Sequence, residues 1–286
     1  MTAIAVSGLR VSYGDLEAVR GVDLHVDEGE VLALLGPNGA GKTSTVEVLE
    51  GFRERAAGEV SVLGHDPAEH LPRDRVGIVL QDSSSDPYLT AREVLRKHAG
   101  YYSRPRPVDE VLELVGLTDK AGARVRTLSG GQRRRLDVGL GILGNPDLVF
   151  LDEPTTGFDP SARREAWELV RTLTGSGTTV LLTTHYMDEA QALADRVVVI
   201  AGGQVVAEGS PESLGGRDSS GVVIRFAAAH TPPVGDPVDG HWEVRTTDEV
   251  RVLHQLTAWS LDTSTPLVGL TVARPSLEDV YLRLTS

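Results

Sequence analysis

Hydrophobic and polar residues alternate along the first 27 positions, which is the spacing of strands with one buried face. The alternating apolar positions are Val6, Leu9, Val11, Val19, Val22, Leu24 and Val26. A turn at Gly14-Asp15 divides the segment, and a second turn at Asp27-Glu28-Gly29 ends it. The run Val31-Leu32-Ala33-Leu34-Leu35 is continuously apolar, as expected for a strand buried on both faces. We therefore expect an antiparallel subdomain followed by a strand at the centre of a sheet.

Beyond residue 90 the hydrophobic spacing becomes helical and stays so to about residue 144. Thr90 and Glu93 form a capping box that begins a helix ending near Tyr102. Further strands are predicted at 76–80, 148–151, 179–183 and 197–201, with helical segments at 161–173 and 186–194. Strands that alternate with helices predict an α/β core with a mostly parallel sheet.

The pattern changes after Gly215-Gly216. Strands are predicted at 222–226, 242–246 and 267–273, a loop at 231–240 and a helix at 248–259. Ser276 and Asp279 form a second capping box, and the final helix has one apolar stripe. We therefore expect one domain at 1–215, with a helical subdomain at about 88–144, and a small α+β accessory domain at 216–286.

Composition and charge exclude several kinds of site and partner. A hydrophobic fraction of 40% is enough for a sizeable core, and the absence of cysteine excludes disulfides and thiolate metal sites. No apolar run approaches the roughly 20 residues of a membrane-spanning helix, and the N-terminus lacks the apolar segment of a secretory signal. The net charge of −13 argues against nucleic acid as a partner. We interpret the basic run Arg133-Arg134-Arg135 as a solvated helix face.

The segment after the buried strand, Gly36-Pro37-Asn38-Gly39-Ala40-Gly41-Lys42-Thr43, matches the P-loop pattern. Its glycines let backbone N–H groups surround phosphate oxygens, and the N-terminus of the next helix adds a positive dipole. Lys42 is expected to reach the β- and γ-phosphates of ATP, and the Thr43 hydroxyl to ligate Mg²⁺. We also expect Ser44 to contact the nucleotide.

Two carboxylates, Asp152 and Glu153, follow the predicted strand at 148–151. At a strand end beside a P-loop, an aspartate holds Mg²⁺ through its water shell. Glu153 is then placed to orient or deprotonate the attacking water. Two solvated acids that close a strand are the alternative, which the P-loop makes the weaker interpretation.

The segment Gly139-Leu140-Gly141-Ile142-Leu143-Gly144 matches the dinucleotide fingerprint G-x-G-x-x-G. It follows a helical segment and precedes a strand, which reverses the order that a Rossmann site requires. We therefore interpret these glycines as a place of close helix packing. The sequence contains neither a G-x-S-x-G elbow nor an H-E-x-x-H motif.

The pentapeptide Leu128-Ser129-Gly130-Gly131-Gln132 resembles the signature motif of ATP-binding cassette (ABC) ATPases, and it ends 20 residues before Asp152. A serine hydroxyl and glycine N–H groups at a helix start make a second anion cradle, although an ordinary helix cap has the same chemistry. The other motifs follow in the order of the family. The resemblance covers about residues 2–215 and implies a P-loop NTPase fold with ATP and Mg²⁺ as cofactors.

The resemblance implies roles for two further residues of the nucleotide site. Tyr13 looks like the aromatic residue that stacks on adenine. Gln81, at the end of the predicted strand Val76–Leu80, looks like the Q-loop glutamine, which contacts Mg²⁺ and the attacking water and senses the transporter.

Two segments that follow Asp152 and Glu153 in the sequence also resemble family motifs. Pro154-Thr155-Thr156-Gly157-Phe158-Asp159 resembles the D-loop, with Phe158 where leucine is usual. His185, after Thr183-Thr184, looks like the switch histidine that contacts the γ-phosphate.

The family resemblance also implies that two cassettes pair head to tail. ATP at Lys42 of one chain would be capped by Ser129 and Gly131 of the other, with Gly130, Gln132 and Asp159 contributing from the same partner. Since Glu153 is present, two identical chains would form two active sites. A homodimer is favoured, and pairing with a non-identical cassette stays open.

The segments 203–211 and 275–282 resemble the bacterial drug-resistance and ABC-2 exporter subfamily. This implies a separate six-helix permease, a peripheral place on the cytoplasmic face of the membrane, and export of antibiotics, other drugs, lipids or polysaccharides. Two alternatives stay open. One is a soluble regulatory or assembly ATPase acting on a cytosolic macromolecule, and the other is the ATPase of an importer.

Overall fold

In the computed structural model, which describes residues 1–79, 85–216 and 221–285, the alternating N-terminal segment forms two long antiparallel strands. β1 (Thr2–Tyr13) pairs with β2 (Leu16–Asp27) on one side and with β4 (Ala57–Val62) on the other. Apolar side chains such as Leu9 and Val22 are buried in the main core. The predicted antiparallel subdomain is present, and β4 is a third strand that the sequence pattern did not identify.

A six-stranded sheet forms the centre of the chain, in the order β5-β6-β7-β3-β8-β9. Its strands are β3 (Val31–Leu35), β5 (Val76–Val79), β6 (Leu148–Asp152), β7 (Thr179–Thr183), β8 (Arg196–Ala201) and β9 (Gln204–Gly209). All neighbours are parallel except β8 and β9. Every residue of β3 and β7 is buried, as in a strand covered on both faces. The carboxyl ends of β3, β6 and β7 therefore meet at one edge of the sheet.

Six α-helices accompany this sheet in the described part of residues 1–211. They are α1 (Lys42–Leu49), α2 (Ala91–Ala99), α3 (Val108–Leu114), α4 (Gly130–Ile142), α5 (Pro160–Gly175) and α6 (Met187–Leu193). The capping box at Thr90 and Glu93 is formed, because each residue's side chain bonds the other's backbone N–H. Helices α2, α3 and α4 contact one another, and α4 also contacts β5.

The G-x-G-x-x-G segment at 139–144 lies in close packing, and Gly139 packs α4 against α3 as predicted. A Cβ atom at Gly139 would lie 3.2 Å from Cγ1 of Val111 in α3. A Cβ atom at Gly144 would lie 2.6 Å from the ring of Tyr102, which is closer than carbon atoms approach. These glycines permit the close approach of their neighbours.

The C-terminal region forms an antiparallel sheet in the order β11-β12-β10-β13. Its elements are β10 (Val222–Ala227), β11 (Asp236–Val238), β12 (His241–Thr246), α7 (Glu249–Asp262), β13 (Val268–Ala273) and α8 (Leu277–Thr285). Ile224, Phe226 and Leu256 form its small core. β11 lies within the predicted loop at 231–240, where Pro237 is tolerated because the strand is at a sheet edge. The predicted capping box at Ser276 and Asp279 begins α8.

The chain divides into two compact units, the first at Met1–Pro211 and the second at Glu212–Leu284. Each unit has its own buried apolar cluster. Within the ranges that the structure describes, no helix combines the length and the apolar character needed to cross a bilayer.

Candidate functional site

The P-loop connects the carboxyl end of β3 to the N-terminus of α1. Gly41 has a φ angle of 103°, and a Cβ atom there would lie 2.6 Å from the carbonyl oxygen of Ala18, so only glycine fits. The ammonium group of Lys42 donates to the carbonyl oxygens of Gly36 at 2.6 Å and Pro37 at 3.1 Å. The loop therefore holds the lysine head group against its own backbone.

A cavity of about 930 Å³ lies over this loop. It is lined by Asn38–Ser44, by Tyr13 at the end of β1, and by Asp152, Glu153 and His185 beyond β6 and β7. Parallel strands bring their carboxyl ends together, which explains why motifs far apart in sequence meet here. The structure thus gathers most of the residues predicted for the nucleotide site around one cavity of ligand-binding size.

β7 supports the two carboxylates at the end of β6. The Thr183 hydroxyl donates to Oδ1 of Asp152, and the backbone N–H of Glu153 donates to the Thr183 carbonyl oxygen at 3.1 Å. Glu153 has a φ angle of 46°, a left-handed conformation that is uncommon outside glycine. The Thr156 hydroxyl donates to Oε2 of Glu153 at 3.1 Å, and Nδ1 of His185 lies 3.5 Å from Oε1. The glutamate is therefore held at the cavity by its backbone and by its neighbours.

A buried guanidinium group from α4 supports the same strand end. Arg134 is only 8% exposed. It donates from Nη2 to the carbonyl oxygens of Asp152 and Glu153, and from Nε to that of Pro154 at 3.4 Å. Bonds from a charged donor to several carbonyl oxygens fix this turn more firmly than neutral bonds would.

The interpretation of the basic run as a solvated helix face is therefore wrong for Arg134. Arg133 is exposed, whereas Arg135 pairs with Glu165 at 2.7 Å. A signal was present in the sequence, because Arg134, Val138, Gly141 and Ile142 have the i, i+4, i+7, i+8 spacing of one helix face, and all are buried.

Burial shifts the pKa values of two residues near the loop. Burial lowers the pKa of Lys42, while the negative charges of Glu153 and Asp152 act in the opposite direction. At the end of α1, burial raises the pKa of Glu50 to about 8, with smaller contributions from Asp152 and Glu47. Glu50 is 2% exposed and was not identified from the sequence. Its neutral form, favoured at neutral pH, adds no further negative charge to those of Asp152 and Glu153.

Tyr13 lines the cavity from the end of β1. Its hydroxyl is 2.9 Å from the Ser44 hydroxyl, and its side chain is 44% exposed. The guanidinium group of Arg53 lies 4.5 Å from the ring centroid, in a cation–π contact that the sequence did not predict.

The signature and D-loop residues do not line this cavity. Ser129 and Gln132 form a capping box at the start of α4, with bonds of 3.2 and 3.0 Å. Asp159 caps α5 by accepting two backbone N–H groups at 2.9 Å. Gln81 lies outside the described residues.

The fold of the single chain supplies no steric reason for Gly130 and Gly131. A Cβ atom at Gly130 would meet nothing within 4 Å, and one at Gly131 would make an ordinary contact with the Phe158 ring at 3.9 Å. Neither residue has a positive φ angle. Alanine would fit both positions, and inside a helix it is more favourable than glycine by about 1 kcal/mol.

Known proteins resemble this chain along its whole length. The family model described as ABC transporter matches residues 19–156. A daunorubicin resistance ATP-binding protein from Streptomyces coeruleorubidus is 40% identical, over 99% of this chain and 96% of its own length. Nod factor export ATP-binding protein I from Ralstonia nicotianae is 37% identical, over 99% of this chain and 93% of its own length.

Solved structures match about three quarters of the chain. The structure of an ATP-binding subunit of an ABC transporter is 26% identical, with a TM-score of 0.67, over 74% of this chain and 91% of that one. An ABC transporter cassette in its ADP conformation is 25% identical, with a TM-score of 0.65, over 74% of this chain and 92% of that one. The predicted fold class and family are thereby confirmed. The chain belongs to the ABC transporter family, as an ATP-binding cassette that hydrolyses ATP.

Proposed function

We propose that this cassette hydrolyses Mg²⁺-ATP as half of a homodimer, and that hydrolysis powers an exporter whose membrane-spanning part is a separate ABC-2 type permease. The chain would then work peripherally at the cytoplasmic face of the membrane. Relatives named for drug resistance and for Nod factor export support this proposal. Their similarity spans 99% of the chain and so includes the second unit, which a shared nucleotide site alone would not explain.

The observation that carries the dimer is the division of the predicted nucleotide contacts into two groups. One group lines the cavity, while the other begins α4 and α5 outside it. Helix starts leave backbone N–H groups free to bind an anion, and glycine at 130 and 131 allows a phosphate to approach closely. We therefore assign Ser129, Gly130 and Gly131 to the γ-phosphate held by a second chain, with Gln132 and Asp159 beside them.

The cavity residues have complementary roles in the proposed reaction. Lys42 exchanges its bonds to the loop carbonyls for bonds to the β- and γ-phosphates. Glu153 orients the attacking water and accepts its proton. His185 contacts the γ-phosphate and, 3.5 Å from Glu153, helps to hold the carboxylate in place. Tyr13 stacks on adenine through the ring face away from Arg53.

The donors at the cavity fit Mg²⁺ that arrives with the nucleotide. Thr43 and Asp152 both line the cavity, and their hydroxyl and carboxylate oxygens are the kind of donor that Mg²⁺ prefers. In the part of the chain that the structure describes, no group of three or more His, Cys, Asp or Glu residues is arranged to enclose a metal. Mg²⁺ commonly keeps several waters and binds substrate phosphates. Three protein donors, Thr43, Asp152 and Gln81, therefore suffice. When bound, it neutralises charge that develops on the phosphates.

Co-purification from native membranes tests the exporter proposal. The tagged chain is recovered from detergent-solubilised membranes and, as a control, from the soluble fraction of the same cells. We expect a multi-helix permease to accompany the chain from the membrane fraction only. Recovery with soluble proteins alone would support a regulatory or assembly ATPase instead. A substrate-binding protein recovered with the permease would identify an importer.

A further inference from the structure

Tyr13 is the last residue of β1 and comes directly before the short turn to β2. Its side chain is 44% exposed, and a side chain of that exposure can change rotamer unless specific contacts fix it. A ring that is already fixed when a base arrives loses less conformational freedom on binding, which favours tighter binding. The contacts of this ring therefore bear on how the nucleotide is bound.

Arg53 covers one face of the Tyr13 ring. The central carbon of its guanidinium group lies 4.5 Å from the ring centroid, which is the geometry of a cation–π contact. Among the described residues, Tyr13 lines the nucleotide cavity, whereas Arg53 lines a separate cleft. The ring thus stands between the cation and the cavity, and the face that Arg53 leaves free is the one available to a base.

Helix α1, which begins at the P-loop lysine, holds both members of this pair. Nε of Arg53 donates to Oε2 of Glu47 at 2.5 Å, and the backbone N–H of Arg53 donates to the Glu47 carbonyl oxygen at 3.2 Å. The hydroxyl of Ser44, also in α1, lies 2.9 Å from the Tyr13 hydroxyl. A serine hydroxyl has one donor and two acceptor sites, so Ser44 can keep this bond and also contact a phosphate.

We propose that Arg53, itself held by Glu47, is a positioning residue that fixes the Tyr13 ring for stacking on the base of the nucleotide. The inference rests on the adenine contact proposed above for Tyr13. It adds that one helix orients both ends of the ligand: the P-loop lysine at its start meets the phosphates, and Glu47 and Ser44 hold the platform for the base.

A direct attraction between Arg53 and the phosphates is the competing explanation for any effect of this residue on nucleotide binding. The charge of Arg53 is already paired with that of Glu47, which weakens its field at a distance. Stacking requires a base, whereas attraction to phosphate does not. Comparing ADP with pyrophosphate therefore separates the two explanations, and neither ligand can be hydrolysed at the γ-phosphate position.

Isothermal titration calorimetry of the full chain with ADP and with pyrophosphate, each with Mg²⁺, tests the proposal. R53M keeps the length of the side chain but removes its charge, and it should weaken ADP binding about two- to fivefold while leaving pyrophosphate binding unchanged. R53K retains a cation and should stay within about twofold of the wild type. E47Q, which loosens Arg53, should change ADP binding in the same direction as R53M.

Two further measurements report on stacking itself. The fluorescence of 2-aminopurine riboside diphosphate falls when its base stacks on an aromatic ring, so saturated R53M should quench this probe less than the saturated wild type does. In steady-state turnover, R53M should raise the KM for ATP and leave kcat nearly unchanged, because the base contact is the same in the ground state and the transition state.

R10M is the matched control, since Arg10 lies in the same strand as Tyr13 and pairs with Glu17 at 2.6 Å. It should bind ADP as the wild type does. In a Y13A background, R53M should have no further effect on ADP binding, because the ring through which Arg53 acts is absent.

The outcomes distinguish a failure of this inference from a failure of the proposed site. If Y13A binds ADP as tightly as the wild type does, the proposed adenine contact of Tyr13 is wrong, and the role of Arg53 is overturned with it. If Y13A weakens ADP binding and R53M does not, only the positioning role of Arg53 is overturned. Equal weakening of ADP and pyrophosphate binding by R53M would also overturn it, in favour of direct attraction to phosphate.

Discussion

Replacing Glu50 by glutamine should stabilise the first unit, and the gain should grow as the pH rises. The wild-type carboxyl is 2% exposed, and one of its oxygens has no hydrogen-bond partner among the described residues. Burial, and then the charges of Asp152 and Glu47, raise its pKa from 4.5 to about 8. The folded chain therefore keeps a proton that the unfolded chain releases at lower pH.

The size of the effect follows from proton linkage. Between the unfolded pKa of 4.5 and the folded pKa of about 8, the folded state binds one more proton than the unfolded state. The contribution of Glu50 to stability is complete below the lower pKa and falls by about 1.4 kcal/mol per pH unit across this window. Between about pH 6 and pH 7.5 the free energy of unfolding of the wild type should thus fall by about 2 kcal/mol relative to that of E50Q. E50Q has no such proton to lose and so keeps this free energy.

Urea unfolding at these two pH values measures the difference. W242F and W259F remove the two tryptophans of the second unit, so that Trp167 reports on the first. Nucleotide is omitted and EDTA is present, so that no ligand changes the charge beside Asp152. E54Q, at an exposed carboxylate, is the matched control and should show no widening gap. The free energies of unfolding of E50Q and the wild type should move apart as the pH rises. If their difference stays constant or narrows, the reasoning is refuted.

Three further substitutions test the supports of the site. R134K should lower the free energy of unfolding by about 2 kcal/mol and slow ATP turnover, because lysine lacks the planar set of donors with which arginine bonds several carbonyl oxygens. R133A is the control and should change neither quantity. T183V removes the hydroxyl that orients Asp152 and should raise the Mg²⁺ concentration needed for half-maximal turnover by about tenfold; an unchanged Mg²⁺ titration would contradict this role. S129R should prevent ATP-dependent dimerisation, followed by size-exclusion chromatography, without weakening ATP binding by the monomer, and normal dimerisation would disprove the trans contact.

The elements that could be predicted from the sequence are those whose signals are local. The apolar run at 31–35 and the capping box at Thr90 each depend on neighbouring residues, and both are present in the structure. β4, β9 and β11 were missed because each is short and takes its structure from pairing with a neighbouring strand. Pairing of that kind is decided by tertiary contacts.

The same distinction applies to the site. The P-loop and the carboxylates Asp152 and Glu153 are contiguous motifs, and the parallel sheet brings them together as expected. Arg134 and Thr183 act through contacts with residues 18 to 31 positions away, for which no contiguous motif exists. In the sequence, Glu50 cannot be told from an ordinary polar residue at the end of a helix. Only the structure shows that it is buried.

ATP turnover and ATP-dependent dimerisation of E153Q test the central claim, that Glu153 activates water at a site completed by a second chain. Glutamine keeps the size of the side chain but cannot accept the proton, so we expect turnover to fall by about 10² or more. The variant should still bind Mg²⁺-ATP and should elute as a dimer in its presence, because hydrolysis no longer separates the two chains. E153Q that hydrolyses ATP at the wild-type rate would contradict the account.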